Sequence, residues 1–311
     1  MCLQRYRGIK MDDLRRKCFF CKDRIDGKKT LEHIIPNSLL GKLGIKEKTV
    51  TGQFNTIQYS RVKVPAHESC NNQFGSDYEN RILSLLENPE QLYNQLLEEA
   101  GILMMYSPDS SVSALITTWL SKIYYGLFYY DLISTKAPQW KDVCSSIIQS
   151  DNFKLVQSSY KQGYGFQLPS SLYVFKTKTK NTETDLVTIV EPSTLLLKIG
   201  SLTFVLCICD GFLTKNYLNG HPLKKLRSWM EEEEKLDPHF PVQKLALAEI
   251  IALRKCIPKN PRFVYSKDQI INMSLSTMAK NPDIAYQINE EHLSHVRREV
   301  LLEMGIKIIN T

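Results

Sequence analysis

The sequence lacks any long hydrophobic run. No uncharged apolar stretch approaches the roughly 20 residues that a transmembrane helix needs, so we expect no membrane span. The first residues include Arg5, Arg7 and Lys10 with no apolar segment behind them, so we expect no secretory signal. Internal repeats and low-complexity tracts are absent as well. These absences predict a globular, cytoplasmic protein with no membrane partner.

The 8 cysteines do not suggest a disulfide framework. Cys18 and Cys21 are separated by two residues, and His67 and Cys70 repeat that spacing further along the chain. Three thiolates and one imidazole are suited to a closed, four-coordinate structural zinc, and such thiolates fit a reducing cytosol. The remaining cysteines lie mostly among apolar neighbours and are expected to be buried thiols: Cys2, Cys144, Cys207, Cys209 and Cys256.

Positive charge is concentrated in the N-terminal part of the chain. Residues 1–85 contain 16 Lys or Arg against 9 Asp or Glu, and the remainder contains 24 of each (40 − 16 and 33 − 9). An excess of cations on one domain attracts polyanions and makes their binding depend on salt. Taken alone, this charge fits a generic basic surface as well as it fits a nucleic-acid partner.

A second set of metal-binding side chains is interleaved with the zinc set. Glu32 and His33 open the segment EHIIP, and Asn71 directly follows the last zinc ligand. A carboxylate, an imidazole and an amide are hard or borderline donors that suit Mg²⁺ or a similar cation. One metal would hold a small domain together while a second performs chemistry, a combination that indicates a nuclease.

The segment from Cys18 to about Leu86 resembles the zinc-bearing HNH endonucleases, whose core is the ββα-metal motif. The motifs that carry the resemblance are CFFC, LEHIIPNSLLG and HESCNNQFGSDYE. The resemblance implies that His33 is the general base, that Glu32 is the acidic ligand of a catalytic Mg²⁺ or Mn²⁺, and that Asn71 is its amide ligand. It also implies hydrolysis of nucleic acid, with double-stranded DNA as the first choice, and a role like that of effectors in anti-phage or restriction systems.

The chain departs from the family pattern at two positions. Val62 stands where many members have a central Asn, nine residues before the metal-binding Asn, and Phe74 stands where a basic residue is usual. Glu79 lies close enough to assist but is not assigned a catalytic role. These departures keep open an alternative function, that of a non-catalytic, zinc-stabilised module that binds nucleic acid or acts as a scaffold.

The predicted fold class is α+β. The resemblance implies an N-terminal ββα domain with a zinc knuckle over residues 1–88. A larger, mostly helical domain with a small antiparallel sheet follows over residues 89–311. The boundary is placed at Leu86–Pro89, where proline interrupts a helix. The second domain is expected to bind a protein partner, to self-associate, to position the substrate or to restrain the nuclease.

Individual elements follow from hydrophobic periodicity. One strand runs into Glu32 and His33, and Thr51–Val64 is compatible with a second. The spacing of Asn71, Phe74, Tyr78 and Ile82 predicts a helix with Asn71 near its start. Gly200-Ser201 predicts a hairpin in the small sheet. Further helices are expected at Gln91–Ala100, Ser111–Ile133, Val242–Cys256, Lys267–Ala279 and Glu290–Met304.

Overall fold

The computed structural model describes residues 11–51, 56–99, 111–162, 168–176, 184–212, 214, 218, 220–231, 242–256, 262–265, 271–274 and 289–305. The fold is mixed α+β with small antiparallel sheets. It divides into two compact units, one of Met1–Leu83 with Lys122–Tyr164 and one of Ser84–Ser121 with Gly165–Thr311. None of the helices in the described ranges is long and apolar enough to cross a membrane. Cys2, expected to be a buried thiol, lies outside the described residues.

The first unit is built around two short antiparallel pairs of strands. Its first elements are α1 (Met11–Leu14), β1 (Lys29–His33), α2 (Asn37–Lys42), β2 (Thr49–Thr51), β3 (Thr56–Gln58) and β4 (Lys63–His67). β1 pairs with β4, which places Glu32 opposite Val64 and His33 opposite Lys63, while β2 pairs with β3. The predicted strand Thr51–Val64 is therefore wrong in its bounds. Its residues enter a separate hairpin and a 3₁₀ turn before β4 begins.

A helix follows β4 directly. It consists of α3 (Glu68–Phe74), a π-helical turn (Gly75–Glu79) and α4 (Asn80–Leu85). Phe74, Tyr78 and Ile82 are buried along it, which confirms the predicted helical spacing. The next helix, α5 (Pro89–Glu99), begins at the proline that was expected to interrupt the preceding helix. Asn71 is the fourth residue of α3, near the start of the helix as expected.

Three further helices are α6 (Val112–Ser134), α7 (Pro138–Gln149) and α8 (Asp151–Gln162). The part of α6 that begins at Lys122, together with α7 and α8, belongs to the first unit, although these residues lie within the range 89–311 expected for the second domain. Gly126 allows α6 to approach the end of β1 closely. A Cβ added there would lie 2.2 Å from Cδ1 of Ile34, so only glycine fits this contact.

Aromatic side chains from α3, α6 and α8 surround the segment between Cys18 and Cys21. Phe19 contacts Phe153 at a ring-centroid distance of 5.5 Å, and Phe20 stacks on Phe74 at 5.0 Å. The amide of Gln157 donates a hydrogen bond of 2.7 Å to the Phe19 carbonyl. This segment alone could bury little apolar surface, so the added helices give it a core that metal ligation would reinforce.

The second unit contains a four-stranded antiparallel sheet in the order β5-β8-β7-β6. The strands are β5 (Ser171–Lys176), β6 (Asp185–Ile189), β7 (Thr194–Ile199) and β8 (Leu202–Cys207). β7 and β8 are joined at Gly200, whose φ of 57° lies in the left-handed region that glycine adopts readily, so the predicted hairpin is confirmed. Cys207 and Cys209 are buried, as expected of core thiols.

Helices α9 (Gly220–Glu231), α10 (Val242–Cys256) and α11 (Glu290–Glu303) contribute to the core beside this sheet. β9 (Arg262–Tyr265) and β10 (Ile271–Ser274) form a separate antiparallel pair. The helix predicted over Lys267–Ala279 is therefore wrong at residues 271–274, where pairing with a segment rich in strand-forming residues outweighs local helix propensity. The other residues of that predicted helix lie outside the described ranges.

Candidate functional site

The four predicted zinc ligands are brought together by folding. Ligand atoms of Cys18, Cys21, His67 and Cys70 all lie within 4.8 Å of one another. Nδ1 of His67 is 3.4 Å from Sγ of Cys21 and 3.9 Å from Sγ of Cys70. Zinc–sulfur and zinc–nitrogen bonds of about 2.3 and 2.05 Å in a tetrahedron place sulfur and nitrogen roughly 3.6 Å apart. The group could hold a metal ion, and its donors are those of structural zinc.

Backbone geometry presents these ligands to a common centre. The chain turns back after Cys21 because Lys22 adopts a φ of 68°, and its amide donates a hydrogen bond to the Cys18 carbonyl. Nε2 of His67 lies 3.1 Å from the Arg24 carbonyl. If Nε2 carries the ring proton and donates it to that carbonyl, the lone pair of Nδ1 faces the sulfurs and is free to bind a metal.

Two thiols of this group, those of Cys21 and Cys70, hold their protons more tightly than ordinary cysteines. Burial raises the pKa of Cys21 well above its usual range and also raises the pKa of Cys70, and the neighbouring Cys18 adds to both shifts. Crowded sulfurs resist ionisation because their negative charges repel and are poorly solvated. A dication at the centre would reverse this effect, so metal binding should release protons.

A buried lysine lies beside the predicted catalytic acid. The ammonium of Lys122 donates hydrogen bonds to Oε1 of Glu32, to the His33 carbonyl at 2.8 Å and to Oε1 of Glu79 at 2.5 Å. The Lys122 side chain has 0% exposure, and those of Glu32 and Glu79 have 8% and 14%. An ammonium has three N–H donors, so this arrangement uses all of them.

Attraction to its two carboxylate neighbours keeps Lys122 charged. Burial alone would lower the pKa of Lys122, but Glu79 and Glu32 together raise it above the ordinary lysine value. Burial raises the pKa of Glu79, and Lys122 opposes that shift. An ammonium buried between two carboxylates is stable only while both remain its partners.

His33 is the last residue of β1 and is half-buried. Burial lowers its pKa, and the positive charges of Lys63, Lys122 and Lys46 lower it further, while Glu79 acts in the opposite direction. Its imidazole is therefore neutral at physiological pH, as a general base requires. Lys63 is also its cross-strand partner in the β1–β4 pair.

The residues around Glu32 do not fit an open cation site. The HNH resemblance implies Mg²⁺ or Mn²⁺ between Glu32 and Asn71, and such a catalytic cation needs free coordination positions. The Glu32 carboxylate is instead buried and paired with an ammonium. Asn71 is half-buried in α3, and within the described part of the chain no side-chain hydrogen bond joins it to Glu32 or His33.

Other contacts occur where the chain departs from the HNH pattern. The Val62 carbonyl accepts a hydrogen bond of 3.1 Å from the Ile34 amide, so a backbone group restrains the turn after His33. The Phe74 ring lies 5.2 Å from the Lys122 nitrogen, close enough for a cation–π interaction. A basic group is thus present beside Phe74, supplied by a different helix.

Of the charged residues near His33 and Glu32, Glu79 was expected from the sequence to lie close enough to assist, whereas Lys122, Lys63 and Lys46 were not predicted. Lys122 lies in the apolar segment WLSKIYYGLFYYDL, where a single charge on a buried helix was the available signal. Lys63 and Lys46 carried no motif.

Comparisons with known proteins return no relatives. No protein-family model, no curated protein and no solved structure matches this chain.

Proposed function

We propose that this protein is a zinc-stabilised endonuclease of the HNH type that hydrolyses phosphodiester bonds in nucleic acid, with double-stranded DNA as the first candidate substrate. One observation carries the proposal: the two halves of the Cys/His group bracket an antiparallel strand pair that ends in Glu32 and His33 and is followed by a helix bearing Asn71. This is the order of elements that the HNH resemblance implies.

The surroundings of His33 support a role as general base. Its lowered pKa keeps the ring neutral, so it can take a proton from water as the water oxygen attacks phosphorus and the bond to the departing 3′-oxygen breaks. Lys63 and Lys46 place positive charge close to the same ring. These ammonium groups would attract the phosphodiester and stabilise the negative charge that develops on it.

The cofactor assignment has two parts. The Cys/His group would hold zinc, which fixes the ends of the strand pair and contributes to folding. The resemblance also implies a catalytic Mg²⁺ or Mn²⁺, but the Glu32 carboxylate that would bind this cation is paired with Lys122. A protein partner or self-association through the C-terminal part, and a role in anti-phage defence, remain proposals by analogy.

A second candidate function is a zinc-stabilised module that binds nucleic acid without cutting it. The burial of Glu32 and its pairing with Lys122 favour this function because a buried carboxylate cannot contact substrate. The excess positive charge of residues 1–85 serves both candidates equally well.

Plasmid cleavage separates the two candidates. Purified, zinc-loaded protein is incubated with supercoiled DNA, and separately with RNA, in buffers with and without Mg²⁺ or Mn²⁺. The matched control is His292→Ala, which changes an exposed histidine on α11. We expect His33→Ala to lose cutting while keeping its zinc and its DNA affinity, and His292→Ala to match wild type.

Other outcomes contradict either the nuclease function or the role of His33. Salt-dependent DNA binding with no cutting in any buffer supports the non-catalytic module. Equal cutting by wild type and His33→Ala means that His33 is not the base.

A further inference from the structure

Lys122 contacts both residues of the proposed catalytic pair. Its ammonium donates to the Glu32 carboxylate and to the backbone carbonyl of His33, and its third hydrogen bond goes to Glu79. A single group thus fixes the acid and the main chain that carries the base. The nitrogen is held by α6, which packs closely on the end of β1 through Gly126 and Ile34.

The charge and geometry around Glu32 make this carboxylate unsuitable as a ligand for a divalent cation. The cluster contains two carboxylates and one ammonium, and Lys122 is covalently attached and shielded from solvent. A divalent cation at Glu32 would lie next to the ammonium and be repelled by it. It would also have to shed its waters to reach a carboxylate with 8% exposure, which Mg²⁺ does reluctantly.

We infer that Lys122 is a positioning residue that takes the place of a divalent cation at Glu32, so that the His33 site is organised by a built-in ammonium group. This inference rests on the proposed function where it concerns catalysis. Whether a cation binds at Glu32 can be measured without any activity. Lys122 itself is buried, so it acts through Glu32 and the His33 backbone and does not contact substrate.

Paramagnetic broadening by Mn²⁺ tests the inference on the intact wild-type protein. The chain has 6 histidines, so their ring protons give few NMR signals, and His33→Ala assigns the relevant one. Mn²⁺ is added to zinc-loaded protein, first alone and then with a duplex DNA made uncleavable by phosphorothioate linkages. We expect the His33 signal to broaden no more than that of the exposed His292 at equimolar Mn²⁺. Selective loss of the His33 signal, with or without DNA, would overturn the inference.

A charge-matched variant provides the second measurement. Lys122→Met combined with Glu79→Gln removes one positive and one negative charge and leaves Glu32 with no ammonium partner. We expect this variant to gain Mn²⁺-induced broadening of His33 that a further Glu32→Gln change abolishes. Broadening that Glu32→Gln leaves unchanged would count against Lys122 as the group that excludes the cation.

The two proposals fail separately. Absence of cutting in every buffer, with the His33 signal insensitive to Mn²⁺, removes the nuclease function but keeps Lys122 as the counter-charge of Glu32. Cutting that requires Mn²⁺ and is accompanied by selective broadening of His33 keeps the nuclease and removes the inference.

Discussion

Replacing Lys122 with methionine is the most informative stability experiment. Methionine has nearly the same length and volume, so it keeps the packing of α6 and deletes only the charge and its three hydrogen bonds. Glu32 and Glu79 would then be buried without a cation, at side-chain exposures of 8% and 14%. Both carboxylates must become solvated or protonated, or the surrounding structure must open.

The loss of stability expected for Lys122→Met is large compared with the loss when a surface ion pair is broken. Removing one partner of a buried pair typically costs about 3–5 kcal/mol because an uncompensated charge remains. The Lys154–Asp151 pair on α8 is a matched control, with side-chain exposures of 40% and 55%. Exposed pairs contribute about 0–1 kcal/mol, so Lys154→Met should have little effect. At about 2–4 °C per kcal/mol, Lys122→Met should lower Tm by roughly 6–20 °C.

Thermal unfolding of zinc-loaded protein, followed by circular dichroism with zinc content checked for each variant, measures these differences. Combining Lys122→Met with Glu79→Gln should recover part of the loss because one unpaired charge is removed. The reasoning is refuted if Lys122→Met melts within a degree or two of Lys154→Met, because the ammonium would then contribute no more than a surface charge.

Three further predictions concern the metal group, the close helix contact and the base. Cys70→Ala should give zinc-free, largely unfolded protein by metal analysis and circular dichroism, because structural zinc supplies folding free energy; a folded, zinc-free protein would contradict this. Gly126→Ala should lower the free energy of unfolding by about 1–3 kcal/mol through overpacking. Gly75→Ala, where the helix leaves open space for a methyl group, should raise that free energy by up to about 1 kcal/mol. Urea unfolding measures both variants, and equal effects would refute the close contact at Gly126. If the protein cuts DNA, the lowered pKa of His33 should place the pH of half-maximal rate below the ordinary histidine value, and Lys63→Met should raise that pH; an unmoved profile would exclude Lys63 as a cause.

Local sequence was enough to predict several elements. The helical recurrence of Phe74, Tyr78 and Ile82 depends on one face turning inward, and these three residues are buried. Proline at position 89 cannot continue a helix, and one helix ends at Leu85 before the next begins at Pro89. These features depend on a residue and its near neighbours, which a single sequence contains in full.

Other elements depend on distant partners and were missed. Ile271–Ser274 was predicted as a helix but forms a strand because Arg262–Tyr265 offers it a ladder of hydrogen bonds. Helices α7 and α8 were not predicted, although α8 completes the core around Phe19. In both cases tertiary pairing outweighed a weak local signal.

The sequence by itself identified the group that could hold a metal ion, since Cys18, Cys21, His67 and Cys70 have donor chemistry and spacing that few other functions require. Only the tertiary structure decided the environment of the proposed acid and base. Lys122 is 90 residues from Glu32 along the chain, and no local pattern connects them. Their contact arises because α6 packs against the end of β1, where burial forces an ammonium to find carboxylates and a carbonyl in place of water.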